Sequence, residues 1–147
     1  APVLPEMASL EWAVHAALTS AEEPPLSASL LAEFGPNASL RFLLQPSLHF
    51  AVFRWPLLAL WQGTHPRDRP LTRGISRTAI VRRGDRIRFI ELSSARFGFW
   101  RSIARGMQLE HAAARALARD PMFDLVNELM VLFRAGLVVG ADECHAH

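Results

Sequence analysis

Two apolar-rich stretches on either side of Gly84-Asp85 predict a β-hairpin with a two-residue turn. After the hairpin, apolar residues recur at helical spacing in three short segments. These segments are SSARFGFWRSIARG, LEHAAARALARD and FDLVNELMVLFRAG, and the apolar strand LVVG follows them. Residues 78–140 therefore have the element order of a winged-helix module, which docks on nucleic acid or offers a sheet edge to a peptide.

The register that this turn imposes separates the side chains of the hairpin into two faces. Arg83 is placed opposite Arg86, and Ile80 opposite Phe89. One face then presents apolar side chains to a core: Ile80, Ile87 and Phe89. The other face gathers Arg83, Arg86 and Arg88. Like charges directly opposed on two strands cost about 0.2–1 kcal/mol, so an acidic ligand would relieve this face.

Short polar residues and glycines mark the ends of the predicted helices. Ser93 and Asp124 are the expected N-caps of the first and third helices, because their side chains accept hydrogen bonds from free backbone N–H groups. Gly136 is expected to end the third helix, followed by the hydrophobic Leu137. The predicted apolar face of that helix carries Leu125, Leu129, Leu132 and Phe133.

Residues 1–63 are predicted to form a helix-and-strand region. Pro5 and Glu6 suit a first helical turn, and Met7, Leu10, Val14, Ala17 and Leu18 then form one apolar face. Two strand segments, LRFLLQ and SLHFAVFRW, lie before and after Pro46-Ser47. The second strand is apolar on both faces, which predicts burial on both sides.

The remaining segments complete a prediction of domain organisation and fold class. Residues 64–77 contain prolines, a glycine and arginines without periodicity, which predicts a mobile linker. Residues 141–147, ADECHAH, are predicted to be an unstructured tail. We expect an α+β protein in which the N-terminal helix-and-strand region, residues 1–63, packs on a winged-helix-like module, residues 78–140.

Composition favours a packed globule with a basic middle. Half of the 147 residues are hydrophobic and a fifth are charged. All 16 basic residues are arginine, and residues 67–105 hold eleven of them against three acids, a local balance of +8. This distribution indicates an anionic partner. The single cysteine, the lack of a spanning apolar run and the lack of a signal-peptide pattern at the start predict a cytoplasmic protein.

Motifs in both halves of the chain resemble one known family. They are LEW-x-x-H at Leu10 to His15, Pro46-Ser47, Trp55-Pro56, the hairpin and FDLVNELMVLFRAGLVVG. In order and spacing, over residues 4–63 and 78–140, the chain is similar to the partner proteins of multinuclear non-haem iron oxidases. Those enzymes modify cysteines in ribosomally made peptides, and the resemblance is strongest to the partner subunits of methanobactin biosynthesis.

The resemblance implies a non-catalytic accessory subunit without a cofactor of its own. The iron would reside in a separate oxidase subunit, with which this chain would form a heterodimer, and the precursor's leader peptide would be held by strand addition. We place the leader along the second hairpin strand and the third helix of the module. The expected peptide-binding residues are Arg86, Ile87, Arg88, Phe89, Ile90, Leu129 and Phe133.

Four residues are expected to contact the oxidase subunit. Trp12, His15, Arg83 and Trp61 are the candidates. An aromatic residue and a histidine on the flank of a helix are also commonly packed and hydrogen-bonded within their own chain, and for Trp12 and His15 that reading stays open. Cys144, His145 and His147 form a terminal cluster of metal-binding residue types, but no metal site is predicted there.

Two other functions stay open at this stage. A winged-helix DNA-binding regulator would use the arginine-rich hairpin against phosphate and the third helix in the groove. The outer face predicted for that helix carries Asn127, Glu128 and Arg134 among Val126 and Met130, which is too apolar for reading bases. A purely structural subunit is the other alternative. No hydrolase, metalloprotease, phosphate-loop or paired-carboxylate motif indicates catalysis.

Overall fold

The computed structural model of the chain describes residues 3–34, 39–55, 63 and 74–144. These residues form a mixed α+β structure with two small antiparallel sheets. In chain order the elements are helix α1 (Val3–Thr19), a 3₁₀ helix (Ala28–Glu33), strands β1 (Ser39–Leu44), β2 (His49–Phe53), β3 (Ser76–Arg83) and β4 (Arg86–Leu92), helices α2 (Ser94–Ala104), α3 (Leu109–Arg119) and α4 (Leu125–Arg134), and strand β5 (Val138–Cys144).

The chain divides into two compact units whose boundaries differ from those of the predicted domains. Residues 1–21 and 47–92 form the first unit, and residues 22–46 and 93–147 form the second. The predicted winged-helix-like module is thus divided: its hairpin belongs to the first unit, and its helices and closing strand belong to the second. None of the helices in the described ranges is both long and apolar enough to cross a membrane.

The first unit is helix α1 packed on a three-stranded sheet in the order β2-β3-β4. Its buried core contains Leu10, Ala13 and Ala17 of the helix with Phe53 and Ile80 of the sheet. Partly buried residues pack around this core: Met7, Val14, Ala51, Trp55, Ile87 and Phe89. The predicted apolar face of the hairpin is therefore confirmed, and it meets the small and aliphatic side chains of α1.

The hairpin has the predicted register in every pair. Arg83 is opposite Arg86, Arg82 opposite Ile87, and Ile80 opposite Phe89. Gly84 takes a φ of +64°, a conformation that a two-residue hairpin turn requires and that glycine adopts without steric cost. The match of turn length, alternation and register shows that local chemistry determines this element.

Arg82 joins the hairpin to the C-terminal end of α1. Its guanidinium donates to the carbonyl oxygens of Ala17 at 3.3 Å, Ser20 at 2.6 Å and Gly84 at 2.7 Å. The last turn of α1 has no basic residue of its own, so a side chain from β3 supplies the donors that its free carbonyl groups need. The sequence predicted the position of Arg82 opposite Ile87 but not its hydrogen bonds to the end of α1.

The second unit combines the two-stranded sheet β1-β5 with helices α2, α3 and α4. The predicted caps are confirmed: the Ser93 side chain accepts from the N–H of Arg96, and Asp124 accepts from that of Asn127. Gly136, with a φ of +70°, follows α4, and Leu137 N–H donates to the carbonyl of Leu132 at 3.0 Å. Helix α4 thus ends in a Schellman motif.

The buried side chain of Gln45 ties three segments of the second unit together. Its amide nitrogen donates to the carbonyl oxygens of Glu23 at 2.8 Å and Gly136 at 3.0 Å, and its amide oxygen accepts from Glu23 N–H at 2.9 Å. Its backbone N–H also donates to the carbonyl of Leu137. Because every polar atom of the amide is paired, its burial carries little net cost.

The structure corrects several predicted boundaries. Residues 141–144, predicted as unstructured tail, belong to β5 and pair with β1. Ser76 and Arg77, assigned to the linker, begin β3. The strands before and after Pro46-Ser47 enter different sheets, and β2 lies at a sheet edge with Val52 half exposed, so its predicted burial on both faces is wrong. Residues 64–73 and Trp61 lie outside the described residues.

Candidate functional site

Strand β4 forms one edge of the three-stranded sheet. Strand β3 pairs with β2 on one side and with β4 on the other, so within the described ranges β4 has a single neighbour. An edge strand presents a row of backbone donors and acceptors to which an extended polypeptide can add. The strand selected from the sequence as the docking edge therefore occupies an edge position.

The side chains of β4 divide between the core and the solvent. Ile87 and Phe89 are partly buried and pack against the α1 core, and Ile90 is also partly buried. Arg86 and Arg88 are exposed on the opposite face, and Arg83 on β3 is partly buried. On this strand, Ile87 and Phe89 stabilise the unit, whereas Arg86 and Arg88 are available to attract an acidic ligand.

The hairpin register also decides which backbone groups of β4 point outward. Arg83 and Arg86 flank the two-residue turn, so in an antiparallel ladder the hydrogen-bonded pairs are those of Arg86, Arg88 and Ile90. The N–H and C=O groups of the intervening positions, including Ile87 and Glu91, are directed away from β3. These outward groups are the ones an added strand would use.

Among the described residues, strand β2 pairs only with β3 and so forms the other edge of the same sheet. It borders a cleft of about 330 Å³ beside α1. Trp12 lies in this cleft, 66% exposed, with its ring edge-on to His49 at 6.1 Å between centroids. His49 Nε2 is buried without a hydrogen-bond partner in the described part of the chain. Burial lowers the pKa of His49, which favours its neutral form.

The two oxidase-contact candidates on α1 that the structure describes both lie at the surface. Trp12 is mostly exposed, and His15 is exposed one turn further along the helix. The alternative in which both side chains are packed inside the chain does not hold for His15, which is exposed. Trp12 is 66% exposed and forms an aromatic pair with His49. Their role towards a partner stays a prediction.

Helix α4 in the second unit holds the other two predicted peptide-binding residues. Leu129 and Phe133 are both partly buried, and the Phe133 ring packs edge-on against Phe42 with centroids 5.6 Å apart. The large apolar side chains most exposed on this helix are Val126, 69% exposed, and Met130, 43% exposed. The predicted pair thus flanks the exposed surface of α4 instead of forming its centre.

Glu128 is the main correction on α4, because it is 3% exposed and not part of an outer face. Its carboxylate accepts hydrogen bonds from Arg96 Nε at 2.9 and 3.0 Å and from the indole N–H of the buried Trp100. The Arg96 guanidinium also lies over the Trp100 ring, 5.7 Å from its centroid. A motif search misses this cluster because its members are 28 and 32 residues from Glu128 in sequence.

The segment Phe97-Gly98-Phe99-Trp100 is helical core, since its three aromatic residues are buried. In the described part of the chain, no three His, Cys, Asp or Glu side chains are grouped to hold a metal ion. Comparison with known proteins gives no matching family model, no matching curated protein and no matching solved structure. The family resemblance and its implied partners therefore stay predictions.

Proposed function

We propose that this chain is a non-catalytic accessory subunit that holds a peptide by strand addition along the outer edge of β4. The observation that carries the proposal is the edge position of β4, with the exposed Arg86 and Arg88 on one face. Backbone hydrogen bonds would provide affinity, and the two arginines would select a peptide with acidic side chains.

The wider context of this proposal is taken from the family resemblance. The peptide would be the leader of a ribosomally synthesised precursor, and the chemistry on its cysteines would be performed by a separate non-haem iron oxidase subunit. This chain would bind both in a methanobactin-type system, contribute no cofactor and act in the cytoplasm. The winged-helix-like character of residues 78–140 belongs to the same proposal, because its order of hairpin, helices and strand is that of peptide-recognition modules.

Binding to duplex DNA is the competing function, and the composition of the α4 surface argues against it. A recognition helix needs polar side chains that reach base edges, but Val126 and Met130 are exposed on α4 and Glu128 is buried. Exposed arginines on α2, directly after it and on α3 would still favour non-specific contact with phosphate: Arg101, Arg105, Arg115 and Arg119. The proposal of strand addition on β4 does not depend on α4, and the composition of α4 counts only against base reading.

The decisive experiment uses the strand edge itself. Proline at position 91 removes one outward-pointing N–H without removing a ladder bond to β3, because Glu91 lies at a non-hydrogen-bonded position opposite Thr78. We expect Glu91→Pro to weaken binding of the leader peptide about tenfold or more. The added strand loses one hydrogen bond, and the proline ring keeps its backbone from approaching β4 closely. Glu91→Ala is the matched control and should bind nearly as well as the wild type.

Charge reversal tests the side-chain part of the proposal. Arg86→Glu/Arg88→Glu should weaken an acidic leader peptide about tenfold and reduce the salt dependence of its binding. Fluorescence anisotropy with the labelled leader measures both sets of variants, and circular dichroism confirms that they fold. Unchanged affinity in folded Glu91→Pro, or sub-micromolar, salt-dependent binding to random duplex DNA, would count against the peptide function. Co-expression with the oxidase should give a stable heteromer on size exclusion.

A further inference from the structure

The second unit has an exposed apolar stripe that the proposed function does not use. Met122, just before α4, is 86% exposed, and it is followed at four-residue spacing by Val126 and Met130, which are 69% and 43% exposed. Because four residues make about one helical turn, the two helical members lie above one another on the same side of α4. Large apolar side chains grouped in this way mark a protein interaction surface.

A polar cleft of about 370 Å³ adjoins this stripe. It is lined by Met122 and Phe123, by the N-terminal part of α4 and by the start of α2. Asn127 and Val131 line the cleft, and each follows a stripe residue by one position, which is 100° around the helix. Met122 belongs to both surfaces, so a single bound segment can cover the stripe and reach into the cleft.

The charges of the cleft indicate the kind of segment that fits. The lining contains three carboxylates, Asp120, Asp124 and Glu128, against one guanidinium, Arg96, a formal balance of −2. Glu128 is paired with Arg96, whereas Asp120 and Asp124 have no ion pair among the residues that the structure describes. Each aspartate accepts one backbone N–H through Oδ1, and no hydrogen bond to its other oxygen is found among the described residues.

We propose that the stripe and the cleft together bind a basic amphipathic segment of a partner polypeptide. Its apolar side chains cover Met122, Val126 and Met130, and a lysine or arginine enters the cleft between Asp120 and Asp124. The exposed Arg134 lies one turn beyond Met130, at the C-terminal end of α4, and repels other positive charges. The basic end of the segment therefore lies at the N-terminal end of α4, beside the aspartates. Methionine side chains suit such a surface because they adapt to different apolar partners.

The inference is independent of the proposed function, because its surface lies in the second unit and has the opposite charge preference from β4. The probe is a synthetic amphipathic helical peptide of about 18 residues with leucine on one face and lysine on the other. A matched peptide carries glutamate in place of lysine. Fluorescence anisotropy with the whole chain should show the lysine peptide binding at least about tenfold tighter, and increasing salt should weaken it.

Substitutions separate the apolar part of the surface from its charged part. Val126→Asp should weaken the lysine peptide about tenfold or more. Leu117→Asp on α3, an apolar position that is 45% exposed and lies outside the stripe, should not change its affinity. Asp120→Asn/Asp124→Asn should also weaken it about tenfold, because an asparagine oxygen can still accept the hydrogen bonds from Met122 and Asn127 N–H while both charges are removed.

Three results would overturn this assignment. One is equal binding of the glutamate and lysine peptides, and another is equal loss in Leu117→Asp and Val126→Asp. The third is sedimentation showing that the chain self-associates in a way that Val126→Asp abolishes, because the occupant would then be a second copy. Arg86→Glu/Arg88→Glu should leave the lysine peptide's affinity unchanged, so failure of this inference and failure of the proposed function are distinguishable.

Discussion

Replacing Glu128 tests how the second unit stabilises a buried charge. Glu128→Leu removes the acceptor of the Trp100 indole N–H, and Trp100 is fully buried. An unsatisfied buried donor costs about 1–3 kcal/mol. Arg96 also loses its partner, but its side chain is 32% exposed and regains water, so this loss adds about 1 kcal/mol or less. The expected total is a decrease of about 1–4 kcal/mol in the free energy of unfolding.

Two further variants identify which hydrogen bond accounts for that decrease. Glu128→Gln keeps an oxygen for the indole N–H but loses the negative charge and one of the two acceptors of Arg96 Nε, so about 1 kcal/mol is expected. Arg96→Met/Glu128→Leu removes both charges and should be less destabilised than Glu128→Leu alone, because no guanidinium is then left without its carboxylate.

Urea denaturation followed by far-ultraviolet circular dichroism gives these free energies. The slope of the free energy of unfolding against urea concentration should be the same in the variants as in the wild type, because a different slope would indicate a changed denatured state. If Glu128→Leu and Glu128→Gln were equally stable to within about 0.5 kcal/mol, the indole hydrogen bond would contribute nothing and the reasoning would be wrong.

Three further variants test the first unit and the end of α4. Burial lowers the pKa of His49 below its ordinary value of 6.5 in the folded chain. As the pH falls, the imidazole of the unfolded chain is therefore protonated before that of the folded chain. The stability that is fully present above pH 6.5 is then lost as the pH falls towards the folded pKa. His49→Phe should lack this acid-side loss in urea titrations at several pH values. Arg82→Met should lower the free energy of unfolding by about 2 kcal/mol, through its lost bonds to carbonyl groups. Gly136→Ala should cost about 1 kcal/mol in thermal unfolding, because φ is positive there.

Each of these variants has a matched control in the same chain. His111→Gln replaces an exposed histidine and should keep the acid-side loss, and Arg105→Met replaces an exposed arginine with little effect. Gly74 has open space around it and no positive φ, so Gly74→Ala should be close to neutral. A His49→Phe protein with the wild-type pH dependence would contradict the burial argument, as would losses in Arg82→Met or Gly136→Ala no larger than in their controls.

Short-range signals predicted the parts of the fold that depend on neighbouring residues. The turn at Gly84 determined the register of the hairpin, and the caps at Ser93 and Asp124 placed two helix starts. The Schellman end at Gly136 was equally local. These features succeed because each needs only hydrogen bonds within a few residues and backbone angles that one residue type favours.

The pairings that cross the chain escaped prediction. β1 pairs with β5 across about a hundred residues, and this pairing turned the predicted tail into strand. Glu128 was expected outside because a charged residue within an apolar helix is usually solvated; its burial depends on Arg96 and Trp100, which reach it from α2. Neither outcome leaves a periodic pattern in the sequence.

The candidate surfaces show the same division between features that the sequence predicts and features that only the tertiary structure decides. The sequence alone determined that the hairpin separates apolar from arginine side chains, because alternation along a strand is a property of the backbone. Only the tertiary structure decided that β4 is an edge, that Arg82 closes the end of α1, and that Met122, Val126 and Met130 stay exposed. Edges, caps from distant strands and exposed stripes depend on which segments become neighbours, and that is settled by long-range packing of the whole chain.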